Sequence, residues 1–224
     1  MTAKHHPLSH VPARGGFTLI ELLVVIVIIG ILAGLVMNAA TRMMDDARRL
    51  QVQTVVKDLR IAISTYQVEY NRWPVNPSQL SGSGDSDIGE LLTDENTGIV
   101  TALMSNSSSS SGGSGGSGGG TTNLNPRNIK FIDLPIARNG MFGLVNAQAP
   151  YRLVDLWGLP YRVLLDTNGD KQVLNPDIGN SDPKISQNPV SPTPQKLPTE
   201  IAIYSFGKDR RKQTKDDVVS WRQR

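Results

Sequence analysis

Apolar and polar positions divide the chain into zones. Residues 1 to 16 are polar and basic, with Lys4, His5, His6, His10 and Arg14 ahead of Gly15 and Gly16. From Phe17 to Met37 the sequence reads FTLIELLVVIVIIGILAGLVM, almost without a polar break. A bilayer core takes about 20 such residues as a helix, so this segment predicts a membrane span. Positive charge ahead of it keeps that end in the cytoplasm. Beyond it, Val52, Val55, Val56, Leu59, Ile63, Tyr66 and Tyr70 recur at steps of three and four, with Arg48, Arg49, Gln53, Lys57, Asp58 and Arg60 between them. That is the period of an amphipathic helix with one buried stripe. No proline falls between Phe17 and Trp73. One helix of about 80 Å, at 1.5 Å per residue, is therefore expected, stopped by Pro74 and Pro77.

The remainder predicts a small head with an antiparallel sheet. SGSGDSD reads as a loop, and Asp87 to Met104 holds enough Leu, Ile and Val for a short helix. Low-complexity Ser/Gly sequence at about 105–122 predicts a disordered surface excursion. Order is expected to return at Phe131–Pro135. Trp157-Gly158 reads as a tight turn, Tyr161 to Leu165 as a strand, Pro183 to Pro198 as a loop and Glu200 to Phe206 as a strand.

Composition narrows the classes. Apolar residues make up 38% of 224, and the densest block is the N-terminal one, so the head has a thin supply for its core. The net charge of +3 is weak, and no basic stripe with interleaved aromatics points to nucleic acid. There is no cysteine, hence no disulfide staple, thiolate nucleophile or thiolate metal site. A small exported domain of this kind calls for another constraint, such as a metal ion. Catalysis finds no constellation: all three histidines precede Gly16, and no G-x-S-x-G elbow, phosphate loop or dinucleotide fingerprint is present.

Glu21 stands inside the apolar run. A carboxylate costs about 2.5–3.5 kcal/mol at the centre of a membrane helix and less toward its ends, so it usually has a partner. An ordinary signal peptide is cut beyond its apolar stretch. Here the obvious cut lies before it, at Gly16. Cleavage there would create an ammonium at Phe17. A neighbouring copy, shifted along an assembly axis, can bring that ammonium to Glu21 and set register. A plain anchor whose Glu21 snorkels to the interface is the other reading. Gly30 and Gly34 form a small-xxx-small pair that would admit a second helix closely, or are incidental membrane glycines.

Gly16 followed by FTLIELLVVIVIIGILA resembles the leader and N-terminal segment of type IV pilins and pseudopilins. The resemblance implies an α+β, pilin-like fold, in which a long N-terminal membrane-spanning helix packs on a small antiparallel-sheet head. It implies a leader (1–16), an assembly helix (17–40), its amphipathic continuation (41–73) and a periplasmic head (74–224). It also implies cleavage between Gly16 and Phe17 by a prepilin peptidase, N-methylation of Phe17, and an assembly role for Glu21. Further motifs resemble the major pseudopilin of type II secretion systems. These are YQVEYNRWP, with Tyr66, Trp73 and Pro74, and VDLWGLPYRV, with Asp155, Trp157, Gly158, Pro160 and Tyr161. In the second, Leu156 replaces the usual proline. IYSFGKDRRKQTKDDVVSW is similar to the family's C-terminal calcium loop, with Ser205, Gly207, Asp209, Asp216, Asp217 and Trp221 matching and Arg210 where a glycine is common.

Asp209, Asp216 and Asp217 are hard oxygen donors on one segment. Ca²⁺ takes six to eight oxygens, so backbone carbonyls, that of Phe206 among them, would complete its shell. Arg210, Arg211, Lys212 and Lys215 should then point outward. The residues alone leave a solvated charged loop equally open; the resemblance implies calcium. Asp166-Thr-Asn168-Gly-Asp170, with Asp177, is similar to an EF-hand loop but has Lys171 in the glycine position and no flanking helices, so a polar β-turn is expected. The resemblance implies a non-enzymatic subunit of a type II secretion pseudopilus in the inner membrane. Its partners would be copies of itself, minor pseudopilins, the prepilin peptidase, an assembly platform and the bilayer. A type IV pilus subunit for adhesion, motility or DNA uptake is the alternative.

Overall fold

The structure, a computed structural model, describes residues 16–80, 89–104, 124–178 and 194–221, without the side chains of residues 38, 39 and 78. The leader before Gly16 and the Ser/Gly segment lie outside the described residues. The chain divides into two units, one ending at Asp46 and one running from Ala47 to Arg224.

The first unit is the beginning of α1, the helix Leu19–Tyr70. Its side chains from Phe17 to Met37 are exposed on every side, Val24, Ile26, Val27 and Ile29 alike. A helix apolar all round belongs in a membrane or a core of other helices. Among the described residues α1 is long and apolar enough to cross a bilayer. A Cβ built at Gly30 or Gly34 meets nothing within 4 Å, so this face is open to a close neighbour.

In the second unit the rest of α1 buries the predicted stripe. Val52, Val56, Leu59, Ile63 and Tyr66 have no exposed surface, and Val55 has 8%. Burial of each such side chain contributes about 1.5–3 kcal/mol. The helix ends before the prolines. Asn71 has φ 50° and donates its amide to the Gln67 carbonyl at 2.7 Å, the left-handed C-terminal cap in which Asn stands in for Gly. Pro77 opens a short helix, α2 (Pro77–Leu80).

The head sheet is antiparallel, in the order β1 (Leu91–Leu92), β4 (Arg162–Leu165), β7 (Ile201–Ser205), β8 (Val218–Val219). Two separate antiparallel pairs stand beside it, β2 (Gly143–Leu144) with β3 (Leu153–Val154), and β5 (Val173–Leu174) with β6 (Lys196–Leu197). The predicted strands are present, each slightly shorter. Every β7 side chain is buried, because both faces of the strand are packed. One face meets the core shared with α1, and Ala202 and Tyr204 join a smaller cluster with Leu164, Val173, Leu197 and Val219.

The short helix expected within Asp87–Met104 is Ile99–Leu103, α3, and Leu91–Leu92 ahead of it is edge strand β1. Gly98, at φ 72°, separates them. One expectation needs correction: the stretch Pro183–Pro198 is not loop throughout, because Lys196–Leu197 is β6.

Candidate functional site

At the start of α1, Thr18 and Glu21 bond reciprocally. The Thr18 amide donates to Glu21 Oε2 at 3.0 Å, and the Glu21 amide to Thr18 Oγ1 at 3.3 Å. The Thr18 hydroxyl donates to the same Oε2 at 2.8 Å. This is a capping box, which satisfies helix amides that would otherwise have no partner. The sequence reading singled out Glu21 and missed Thr18; the Thr-x-x-Glu spacing at the edge of an apolar run is the signal that would have found it.

The C-terminal loop runs between β7 and β8. Carboxylate oxygens of Asp209, Asp216 and Asp217 gather within 4.8 Å of one another, and among the described residues these form the cluster suited to a cation. Three local features shape the loop. Gly207 has φ 73°, and a Cβ there would stand 2.4 Å from the Asp216 carbonyl oxygen and 2.6 Å from its carboxylate, so only glycine fits. The Asp209 amide donates to Asp216 Oδ2 at 2.9 Å. The Gln213 and Thr214 amides donate to Asp217 Oδ2 at 2.9 and 3.3 Å. Arg210, at φ 59°, takes the left-handed conformation that glycine would take there and spends its side chain on the Trp157 carbonyl at 2.8 Å. Lys212 reaches Glu90, and Arg211 is exposed.

Thr214 was not anticipated. Its hydroxyl lies 2.7 Å from Asp216 Oδ1 and 3.0 Å from Asp217 Oδ1. One hydroxyl hydrogen serves one of these acceptors at a time. Burial raises the Asp216 pKa, but the Asp209 amide and Thr214 hydroxyl outweigh it, and the net direction is down. The group is thus held ionised. Oxygens on opposite sides of a Ca²⁺ stand at most about 5 Å apart, twice the 2.3–2.6 Å bond. The donor set and its spread fit such an ion.

The Trp157-Gly158 turn adjoins this loop. Asp155, fully buried, accepts the Trp157 and Leu159 amides on Oδ1 at 2.8 and 2.9 Å. Its Oδ2 accepts the Ser205 hydroxyl at 2.5 Å. Burial pushes the Asp155 carboxyl up from the usual carboxylate range, against the pull of those bonds.

Asp166 behaves as the β-turn reading requires. Its oxygens accept the Gly169 and Lys171 amides at 2.6 and 2.7 Å. Asp170 pairs with Lys196, and the Asp177 amide bonds to Asn175.

Comparison with known proteins bears on the N-terminal site first. The family described as the prokaryotic N-terminal methylation motif matches residues 12–37, which include Gly16, Phe17 and Glu21. A fimbrial protein of Neisseria meningitidis is 34% identical over 98 residues, 41% of this chain and 56% of that protein. The type II secretion system core protein G of Klebsiella michiganensis is 40% identical over 68 residues, 30% of this chain and 48% of that protein. Residues 12–37 thus carry the motif of that family. A type IV major pilin protein of Neisseria gonorrhoeae is 29% identical over 141 residues, 60% of this chain and 83% of that protein. The chain spans a little over half the length of the first curated relatives it matches. No solved structure matches it.

Proposed function

We propose that the chain is the major pseudopilin of a type II secretion system. It is cut between Gly16 and Phe17 by a prepilin peptidase, methylated on Phe17 and held in the inner membrane by α1. Its head stands in the periplasm. Copies assemble through α1, with the Phe17 ammonium of one meeting Glu21 of the next, on an inner-membrane platform and with minor pseudopilins. The polymer supports export of folded proteins across the outer membrane, and the subunit itself catalyses nothing.

The observation that carries this reading is the gathering of Asp209, Asp216 and Asp217 beside the Trp157-Gly158 turn in a head without cysteine. Asp209, Asp216 and Asp217, with the Phe206 carbonyl, would hold Ca²⁺. The ion would neutralise clustered carboxylates and tie β7 to β8; the chain's own residues supply the cradle. A type IV pilus subunit is the second reading, favoured by the longer matches to pilins of Neisseria. Deleting the gene separates the two. Loss of secreted proteins from the culture medium, with sheared surface fibres intact, is the expected result. Loss of the fibres with secretion intact would overturn it.

A further inference from the structure

Arg49, on the stretch of α1 that belongs to the head unit, reaches the C-terminal loop. Its Nη2 donates to the Lys215 carbonyl at 2.9 Å, across 166 positions of sequence. The acceptor stands directly before Asp216 and Asp217. Arg60, further along α1, makes a similar bond away from the loop, to Thr199 Oγ1 at 3.1 Å. We propose that Arg49 is a positioning residue for the cation cradle: it fixes the Lys215 carbonyl from α1 and so couples cation binding in the loop to the packing of this part of α1. The inference rests on the reading of Asp209, Asp216 and Asp217 as that cradle.

A peptide unit is planar, so the Lys215 carbonyl and the Asp216 amide turn together. Holding that carbonyl fixes how the chain enters Asp216. The other side of Asp216 is fixed from the start of the loop. Its Oδ2 accepts the Asp209 amide at 2.9 Å, and Gly207 lies so close that a Cβ there would stand 2.4 Å from the Asp216 carbonyl oxygen. Thr214, just before Lys215, directs its hydroxyl at the Asp216 and Asp217 carboxylates. The segment 214–217 is thus clamped between α1 and the first residues of its own loop. Longer side chains of the loop lead to other elements: Arg210 to the Trp157 carbonyl, Lys212 to Glu90, and Gln213 Nε2 to the Pro176 and Ile178 carbonyls. Arg49 supplies the tether from the helix. A guanidinium on a carbonyl is a charge-assisted bond. Its positive charge by itself disfavours a cation nearby, but Arg49 is partly exposed, and solvent and salt screen that repulsion. Positioning therefore outweighs it. Coupling of this kind is reciprocal: the factor that the Arg49 contact adds to cation affinity is the factor by which the cation strengthens the contact.

The test uses the full-length chain in detergent, stripped with chelator, and calcium as the probe. Calorimetric titration gives Kd for the parent, Arg49→Gln, Arg49→Lys and Arg60→Gln, and amide exchange is followed with and without calcium. Arg49→Gln should bind calcium about fivefold more weakly, the factor of one net hydrogen bond. Arg49→Lys, which keeps the charge and a donor, should stay within about twofold of the parent. Arg60→Gln removes a comparable bond between α1 and the head and should leave Kd unchanged. In the parent, calcium should slow exchange at the amides from Leu50 to Thr54 as well as in the loop; in Arg49→Gln it should slow the loop alone. Equal or tighter binding by Arg49→Gln overturns the positioning role and leaves the calcium reading standing. A loss in Arg60→Gln as large as in Arg49→Gln overturns it too, since the effect would then be a general loosening of α1. Loop amides that slow in the parent without any change from Leu50 to Thr54 overturn the coupling with no variant needed. A parent chain that binds no calcium overturns both readings.

Discussion

The Ser205 hydroxyl donates to the buried Asp155 carboxylate at 2.5 Å and accepts the Gly207 amide at 3.2 Å. A residue of the Trp157-Gly158 turn thereby fixes the first step of the loop that carries Asp209. Arg210 closes the outside of the same junction through the Trp157 carbonyl. The turn and the loop are far apart in sequence, and the resemblance treats them as separate motifs; physically they are one bonded unit.

Ser205→Ala should therefore destabilise the head by about 1–3 kcal/mol, the cost of leaving a buried acceptor without its donor. Asp155→Ala should cost at least as much, because two turn amides also lose their partner. The double variant should lose clearly less than the two single losses added, since both act on one network. Denaturant midpoints on the soluble head measure all three. Simple additivity would mean that the two residues act independently.

The acid limb of stability should have two opposing parts. Burial raises the Glu90 carboxyl, but Lys212 and Arg162 beside it outweigh that and lower its pKa. Its contribution is present above its unfolded value, about 4.3, and is lost as pH falls through the lower folded value. Asp155 has the reverse sign. Burial raises its folded value, so its contribution is greatest below about 3.9 and is lost as pH rises through the folded value. Going from neutral to acid pH, the gap between parent and Glu90→Gln should close, and the gap between parent and Asp155→Asn should widen. Urea midpoints at several pH values read both; gaps moving in the same direction would contradict the assignment.

The roots of the 105–123 segment are held together. Asn125 Nδ2 donates to the Met104 carbonyl at 3.5 Å and to the Ile129 carbonyl at 2.6 Å, and Tyr70 donates to Asn125 Oδ1 at 2.7 Å. Arg72 and Tyr66 donate to the Leu124 carbonyl. A short Gly/Ser link in place of 105–123 should leave the head folded and raise its stability by about 1 kcal/mol, because closing a shorter loop costs less entropy. Asn125→Ala should instead cost about 1–3 kcal/mol by freeing buried backbone groups. Thermal midpoints of both proteins check this, and collapse of the fold in the shortened chain would show that the segment takes part in it.

Periodicity made α1 legible, because a stripe at Val52, Val56, Leu59 and Ile63 follows directly from helical geometry. The proximity of Asp209, Asp216 and Asp217 was legible too, since all three sit on one short segment between two strands. Features that depend on backbone conformation or on distant partners were not. The stop at Asn71 is a left-handed cap, which an Asn signals less strongly than a Pro. Strand β1 is two residues long and owes its pairing to β4 from far along the chain, so local pattern carries little sign of it. Thr214 and the Asp155–Ser205 bond belong to tertiary contacts, and a lone hydroxyl in a polar loop has many ordinary uses.

Calcium should raise the thermal midpoint of the soluble head, taken from about Arg48 onward. The head has no cysteine, and β8 is a short edge strand tied to β7 through the loop that carries Asp209, Asp216 and Asp217. Asp216 and Asp217 share the single hydroxyl hydrogen of Thr214, and a divalent cation would add the charge that neutral donors do not supply. An ion that binds only the folded head stabilises it by RT ln(1 + [L]/Kd), about 2.7 kcal/mol at a hundredfold excess over Kd. Asp216→Ala and Asp217→Ala should remove most of that gain. Asp166→Ala should keep it, since the Asp166 oxygens already serve the Gly169 and Lys171 amides; it should lower only the starting midpoint. Gly207→Ala should lose the gain as well, because its Cβ would displace the Asp216 carbonyl and carboxylate. Mg²⁺ should substitute poorly, since it demands tighter octahedral geometry and gives up water reluctantly. Melting curves of chelator-stripped protein in Ca²⁺, Mg²⁺ and chelator decide the point. An unchanged midpoint in millimolar Ca²⁺ would show that the loop holds itself together through its own amides and Thr214. A shift lost only in Asp166→Ala would move the ion to the Asp166–Asp170 turn.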